Sequence, residues 1–186
     1  MHTYHRLKLA VLVAVTAALV VTSTAIAADV PATVTVNAGS LSLSTSAAPS
    51  VSVTLDGTDK TPTYTLPMTV TDSTGSGTGW NTTITSTQFT TGGGTPRTLS
   101  TSASSTTGVT SVCAGGTCTN PTNSITYPFT VPAAAVAPAA VKLYNAATNT
   151  GMGSFTVTPT VQVSIPANTY AGTYTSTVTV AVVSGP

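Results

Sequence analysis

The sequence predicts an all-β protein, a single domain built as an antiparallel β-sandwich of about seven to nine strands. Apolar residues alternate with threonine and serine through much of the chain, which is typical of strands with one buried and one solvated face. A long helix is excluded because Pro138 interrupts the one alanine-rich stretch, 132–147. Turn signals separate the alternating segments. These signals are Asp56-Gly57, the glycines of 75–79, Gly92-Gly93-Gly94 and Ala171-Gly172.

The strand segments are rich in β-branched residues, which favour extended structure. In 155–165, Phe155 and Val157 share one face with the later valines, and the threonines take the other face. The other segments follow the same rule over shorter lengths. In chain order the predicted strands are 33–36, 41–44, 51–55, 64–70, 80–89, 125–131, 155–165 and 174–182.

Two features predict departures from regular strands. Pro67, Pro128 and Pro159 lie inside strand patterns. A proline cannot donate to a ladder, so we expect sheet edges or bulges at these positions. The Ser/Thr/Gly-rich stretch 90–124 has the weakest pattern and is predicted to be a long loop region tied by a disulfide.

Residues 1–27 have the order of residues found in a secretory signal peptide. Basic residues come first, followed by the apolar run LAVLVAVTAALVV and the small-residue triplet A-I-A. The apolar run is short for a membrane span, which takes roughly 20 residues. Cleavage is expected after Ala27, with Ala28 as the neighbouring alternative, and it leaves a domain that spans 28–186.

The chain beyond residue 27 carries few charges. Lys60, Arg97 and Lys142 stand against four aspartates, so its net charge is −1 (3 minus 4). Three scattered cations cannot form the basic patch on which nucleic-acid binding depends, and the same argument excludes an anionic membrane surface. Solubility must therefore come from hydroxyls and amides, which suits a protein fixed on a surface or packed in an assembly.

Cys113 and Cys118, in the segment VCAGGTC, are the only cysteines. An even pair in an exported chain indicates a disulfide, and the small residues between them allow a tight turn. Closing so short a loop stabilises the fold by roughly 2 kcal/mol in the chain-entropy model. A metal site would need more ligands, and the spacing differs from the C-x-x-C of thiol oxidoreductases.

No histidine and no glutamate occur beyond residue 27. Ser-His-Asp and Cys-His nucleophile systems are therefore excluded, and only aspartates remain for carboxylate chemistry. Asp56 and Asp59, in LDGTDK, are predicted to make a turn, with weak calcium binding as the alternative. Asp72 is the remaining carboxylate near them in sequence. The sequence predicts no catalytic residue, no metal site and no cofactor.

Three stretches together resemble the WxL domain family of bacterial cell-surface proteins. They are 68–89, with a strand, a glycine-rich turn and a tryptophan, the central segment 141–166, and the C-terminal strand pair 167–186. The chain departs from the two Trp-x-Leu motifs of that family. The first motif is Trp80-Asn81-Thr82 here, and the last strand has no tryptophan. The resemblance implies a β-domain that attaches non-covalently to the cell wall, with peptidoglycan as its ligand.

Trp80, the one tryptophan of the chain, directly follows the glycines of 75–79. Those glycines do not form a phosphate loop, because no lysine follows and a strand comes next instead of a helix. Two roles are open for the ring. It can cap the core, with its N–H on a loop carbonyl and the glycines passing close over it, or it can stack on wall sugars from an exposed position. The scarcity of other large rings favours packing.

The predicted function is that of a secreted, non-enzymatic cell-surface protein that binds cell-wall glycan, peptidoglycan, or other surface proteins. The alternative is a self-assembling filament or coat subunit, a homo-polymer in which residues 28–44 add a strand to a neighbour's sheet. A glycan-cleaving enzyme that works through aspartates is the third possibility, and no pair of carboxylates is placed by the sequence. Nucleic acid is not expected as a partner, nor is a membrane after removal of the signal.

Overall fold

The computed structural model describes residues 26–186 and contains ten strands and no helix in that range. The predicted signal peptide, 1–27, lies almost wholly outside the described residues. Within the described range no helix could therefore cross a membrane. The strands are Leu41–Ser44 (β1), Thr63–Thr65 (β2), Met68–Asp72 (β3), Trp80–Thr87 (β4), Ser104–Gly115 (β5), Phe129–Thr130 (β6), Ala133–Ala134 (β7), Val141–Ala146 (β8), Gly153–Val163 (β9) and Val178–Ser184 (β10). The predicted all-β sandwich is confirmed.

The first sheet is built around β9, the long strand with the clearest alternation. Its order is β1-β3-β9-β5-β6, with β2 also on β9, and every pairing is antiparallel. Phe155, Val157 and Val161 of β9 are buried, whereas the threonines between them are half-buried. The period of two in this segment therefore sets which face of the sheet meets the core.

The second sheet is built around β4. Strand β10 lies antiparallel on one side of β4, and β8 (antiparallel) and the short β7 (parallel) share the other side. Strands β7 and β8 both come from the alanine-rich stretch 132–147. Pro138 falls between them, where it lies outside both ladders and ends the possibility of a helix.

The two sheets enclose a main core that contains most of the large buried side chains. Its largest fully buried members are Trp80, Phe155, Met68, Ile84 and Leu143. Burying one such side chain contributes about 1.5–3 kcal/mol. A smaller cluster lies past the far end of β4. It is formed by Leu99, Ala103 and Val163, with Tyr64, Phe89, Ile165 and Tyr174 packed against it.

The interpretation of 90–124 as a long loop is wrong for its central part. Ser104–Gly115 forms β5, a strand of twelve residues that pairs with β9 along most of its length. Its register shifts between Thr106 and Gly108 and again between Cys113 and Gly115. Each shift changes which residues face the core, so the strand has no continuous period of two.

Two predicted strands, 33–36 and 51–55, are not strands in the structure. All ten strands lie in one compact unit, Val36–Pro186, and residues 26–35 belong to a separate unit and are exposed. Alternation makes a segment able to join a sheet, but a strand also needs the edge of another strand as its partner. Nothing in either local pattern shows whether such an edge is available.

The prolines divide or shorten the strands that contain them. Pro67 separates β2 from β3 within the predicted strand 64–70, and Pro128 precedes the two-residue β6 within 125–131. Of the predicted edges or bulges, Pro159 is not at an edge, because it lies in the central strand β9, but it is close to the register shift between Thr106 and Gly108 of the paired β5. The Leu66 amide donates to the Pro159 carbonyl at 3.0 Å. Because the N–H and C=O of one strand residue point to the same side, the missing N–H of Pro159 faces the break between β2 and β3.

Candidate functional site

Trp80 lies in the main core and has no exposed surface. Its indole Nε1 donates to the carbonyl of Gly151 at 2.8 Å. The rings of Tyr144 and Phe155 flank it, with centroids 6.0 and 6.4 Å away in tilted arrangements. The structure therefore places the ring in the first of its two possible roles, as a cap on the core, and it offers no face to an external ligand.

Glycines from two loops allow the backbone to close over this ring. Gly151 has φ of +75°, and a Cβ there would lie 2.6 Å from the indole nitrogen and also meet the side chain of Ala146. Gly79 has φ of +74°, and a Cβ there would meet the backbone carbonyl of Ala146. Both positions therefore need glycine for conformation and for space.

The disulfide predicted for Cys113 and Cys118 is present, with a Cα–Cα distance of 6.0 Å. It holds the segment that follows β5 against the loop that covers Trp80. Thr119, the neighbour of Cys118, accepts from the amide of Gly151 at 2.8 Å and donates its own amide to Met152 at 2.9 Å. The crosslink therefore supports the loop that receives the tryptophan N–H.

Asp72 is nearly buried, and its carboxylate accepts hydrogen bonds from the start of the glycine-rich turn. Its Oδ1 accepts from the Thr74 amide at 3.0 Å and from the Thr74 hydroxyl at 2.7 Å. From Thr74, hydroxyl contacts of 2.9 and 3.0 Å run to Ser76 and on to Thr78. This carboxylate therefore stabilises the turn that directly follows it, in the manner of an Asx turn.

Asp56 and Asp59 lie in the exposed turn before β2. Hydrogen bonds from Lys60, at 2.6 Å, and from Thr58 lower the pKa of Asp56 to about 2. Asp59 accepts from the Ala167 amide at 2.8 Å. Each carboxylate therefore has protein donors, and among residues 26–186 no three His, Cys, Asp or Glu side chains form a group that could hold a metal ion.

An exposed aromatic residue lies at the end of the sandwich away from Trp80. Tyr170 is 60% exposed, and the guanidinium carbon of Arg97 stands 3.9 Å from its ring centroid. The hydroxyl of Tyr174 donates to the Tyr170 carbonyl at 3.0 Å and fixes the turn between them. This is cation–π geometry on an open surface.

Two hydrogen bonds with Thr91 position the backbone of Arg97. Thr91 donates its amide to the Arg97 carbonyl at 2.9 Å, and the Thr91 hydroxyl accepts from the Arg97 amide at 3.0 Å. These bonds close the glycine loop 92–94 and present the guanidinium at its end. The one ion pair among the described residues is Lys60–Asp56, so Arg97 has no carboxylate within 4.0 Å there.

Arg97 and Tyr170 line a cleft of about 370 Å³, called here the Arg97–Tyr170 cleft. Polar groups of Thr98, Ser100 and Asn168 lie around it. A wider apolar groove of about 600 Å³ adjoins the cleft, between the extended segment 51–55 and the small cluster. The cleft combines an aromatic face, an unpaired cation and hydroxyl and amide groups, which is the chemistry of a polar ligand site.

This cleft was not predicted from the sequence. Its residues come from two segments far apart in the chain, 96–100 and 166–174. The available signals were the single arginine beyond residue 27 and a tyrosine in the turn-like ANTYAGTY. Neither signal indicates a site until folding brings the two segments together.

The family model of the WxL domain, described as surface cell wall-binding, matches residues 29–186. The chain belongs to the WxL domain family. The predicted family, the secreted, wall-associated localisation and the cell-surface role of this WxL domain are thereby shown. No curated protein and no solved structure matches the chain.

The WxL domain shows what its variant motif does in the fold. Trp80-Asn81-Thr82 opens β4, and all three side chains are buried. Asn81 donates to the Gly185 carbonyl at 2.8 Å, and the Thr82 hydroxyl donates to the Tyr144 carbonyl at 3.3 Å. The motif therefore connects β4 to β8 on one side and to the residue that follows β10 on the other.

Proposed function

We propose that this WxL domain binds peptidoglycan non-covalently, without a catalytic role, and that the Arg97–Tyr170 cleft is the binding site. The observation that carries the proposal is the exposed tyrosine ring with an unpaired guanidinium beside it. Family membership supplies the coarser fact, which is a domain that binds the cell wall. The form proposed to act at the wall begins at Ala28, after removal of the predicted signal.

The chemistry of the cleft suits both parts of peptidoglycan. An exposed aromatic face packs against the apolar face of a sugar ring, as aromatic anchors do in binding sites. The peptide stems of the polymer carry carboxylates, which a guanidinium binds in a planar, bidentate manner. The hydroxyl of Thr98 and the amide of Asn168 line the cleft and can meet the polar edges of the sugars, whereas the Ser100 hydroxyl already bonds to Ser102 at 2.8 Å.

Trp80 does not compete for this role, because a ring without exposed surface cannot stack on a sugar. The same reasoning predicts a moderate salt dependence for wall binding. One cation lines the cleft, so screening weakens a single charged contact and leaves the aromatic contact in place.

Co-sedimentation with isolated Gram-positive sacculi tests the proposal. The chain from Ala28 should pellet with sacculi at moderate salt and should be released unmodified in mass by denaturant. Tyr170→Ala and Arg97→Gln should each reduce the pelleted fraction several-fold. Tyr170→Phe, which keeps the ring, should pellet nearly as the parent does.

A matched control separates the cleft from general stickiness. Val112 is 64% exposed on β5, so Val112→Ala removes an exposed apolar side chain elsewhere on the domain. It should leave pelleting unchanged. Equal pelleting of Tyr170→Ala and Val112→Ala, with both variants folded, would place the wall site elsewhere, and no pelleting of the parent would reject wall binding.

A further inference from the structure

We propose that this WxL domain self-associates by strand addition, with residues 30–36 of one copy pairing with the free edge of β10 in a second copy. The inference is independent of wall binding. It depends on a sheet edge that has no partner strand among the described residues and on an unpaired segment of matching pattern in the same chain.

Strand β10 lies at the edge of the second sheet and pairs only with β4 among the described strands. Thr175 and Thr90 exchange both backbone hydrogen bonds, and the Gly185 amide donates to Gly79 at 2.9 Å. Because bonding direction alternates along a strand, the odd-numbered residues of β10 face β4. The backbone groups of Val178, Val180, Val182 and Ser184 therefore face the free edge.

This edge lacks most of the usual protections against pairing, although β1 of the first sheet lies close to β10 without pairing with it. Natural edge strands are short, bulged, charged or covered, whereas β10 has seven residues, no charge, no proline and an unbroken register with β4. The side chains of Val178, Val180 and Val182 are only half-buried on the core. A strand added beside β10 would complete their burial.

The other edges are protected by length, cover or irregularity. Strands β1, β2, β6 and β7 have four residues or fewer. The edge of β8 is covered, because Asn123 accepts from the Asn145 amide and the Tyr127 hydroxyl donates to the Leu143 carbonyl. The free part of β5 carries two register shifts and a disulfide. Strand β10 is therefore the longest regular edge without a second partner strand in the described part of the chain.

The proposed donor has the complementary pattern. Residues 30–36 read VPATVTV, with Val30, Val34 and Val36 between 85% and 89% exposed and none of the seven in a strand. The valines and Ala32 fall at alternate positions, so in an extended chain they share one face. In a strand added beside β10, that face would continue the apolar face formed by the half-buried valines of β10. Neither segment has a charge that would oppose the pairing.

Donor and acceptor can be separated experimentally. The chain 28–186 should form oligomers that grow with concentration in light scattering, whereas the chain 37–186 should remain a monomer. A synthetic peptide of residues 28–37 should bind the chain 37–186 in a 1:1 ratio. Oligomers that persist without residues 28–36, or a chain 28–186 that stays monomeric at every concentration, would overturn the proposal.

Paired charge substitutions test the face that pairs. Val34→Lys with Val36→Lys places charge on the apolar face and should abolish oligomers, with mass falling to that of the monomer. Thr33→Lys with Thr35→Lys adds the same charge to the opposite face and should retain them. Equal behaviour of the two double variants would exclude the proposed pairing face.

Discussion

The two ends of the sandwich each carry an aromatic side chain, and the fold uses them in opposite ways. Trp80 begins β4 and is fully buried under two glycine-dependent loops. Tyr170 lies past the other end of β4, where Thr90 pairs with Thr175, and it is 60% exposed. The ten residue steps from Trp80 to Thr90 separate the ends by roughly 30 Å of extended chain.

The difference shows that the residues of the covering loops decide whether an aromatic ring at the end of a sandwich is buried or exposed. At the Trp80 end, Gly79 and Gly151 let backbone approach the indole, and the disulfide-linked segment holds that loop in place. At the Tyr170 end, the Arg97 guanidinium lies over one face of the ring, and the residue is still 60% exposed. The first end is built for stability, and the second has the groups that can meet a ligand.

The largest predicted effect is the difference between Trp80 and Tyr170 in their contribution to the free energy of unfolding. Trp80→Ala should lower the free energy of unfolding by about 3–5 kcal/mol, because it empties a fully buried site. Tyr170→Ala should change it by less than about 0.5 kcal/mol, since the ring is mostly solvated. Denaturant unfolding followed by circular dichroism measures both, because Trp80→Ala removes the only tryptophan fluorophore. Similar losses for the two variants would contradict the comparison.

The next effect tests whether close approach over the indole needs glycine. Gly151→Ala should cost about 1–2 kcal/mol for the left-handed backbone and a further ~1–3 kcal/mol for the contacts with the indole nitrogen and Ala146. Gly75→Ala is the matched control, because Gly75 has φ of +67° with open space around its Cβ position. It should show the backbone cost alone. An equal loss of unfolding free energy in both variants would mean that a Cβ at position 151 does not clash with the Trp80 indole.

The smallest effect concerns the exposed turn that contacts the segment before Tyr170. The pKa of Asp56 is lowered from 3.8 to about 2 by Lys60 and Thr58. A lowered carboxyl pKa stabilises the fold above the unfolded value and loses that contribution as pH falls through the folded value. The contribution should therefore be present above about pH 4 and gone below about pH 2, and salt should weaken it.

Carboxyl NMR titration of Asp56 measures this shift, with a Lys60→Gln variant as the control for the main partner. The variant should move the Asp56 pKa upward towards 3.8. A parent pKa at or above 3.8 would show that the ion pair does not persist in solution.

The sequence by itself determined the fold class, the family and the disulfide. In β9 and β10 the alternation reports directly which face is buried, because side chains of a strand alternate between its two faces. The two cysteines lie close together in the chain, so their pairing required little knowledge of the fold. Local pattern was sufficient in these cases because the deciding contacts are local or periodic.

Tertiary structure decided which patterned segments pair, which ring is covered and where the cleft forms. The alternating segment 33–36 has no partner edge, whereas the unpatterned Ser104–Gly115 is held in the sheet by β9 despite two register shifts. Trp80 is covered by Gly151, 71 residues away in the chain, and Arg97 meets Tyr170 across a similar separation. These outcomes depend on long-range packing, and a single strand's own residues do not encode which distant backbone will come to lie against them.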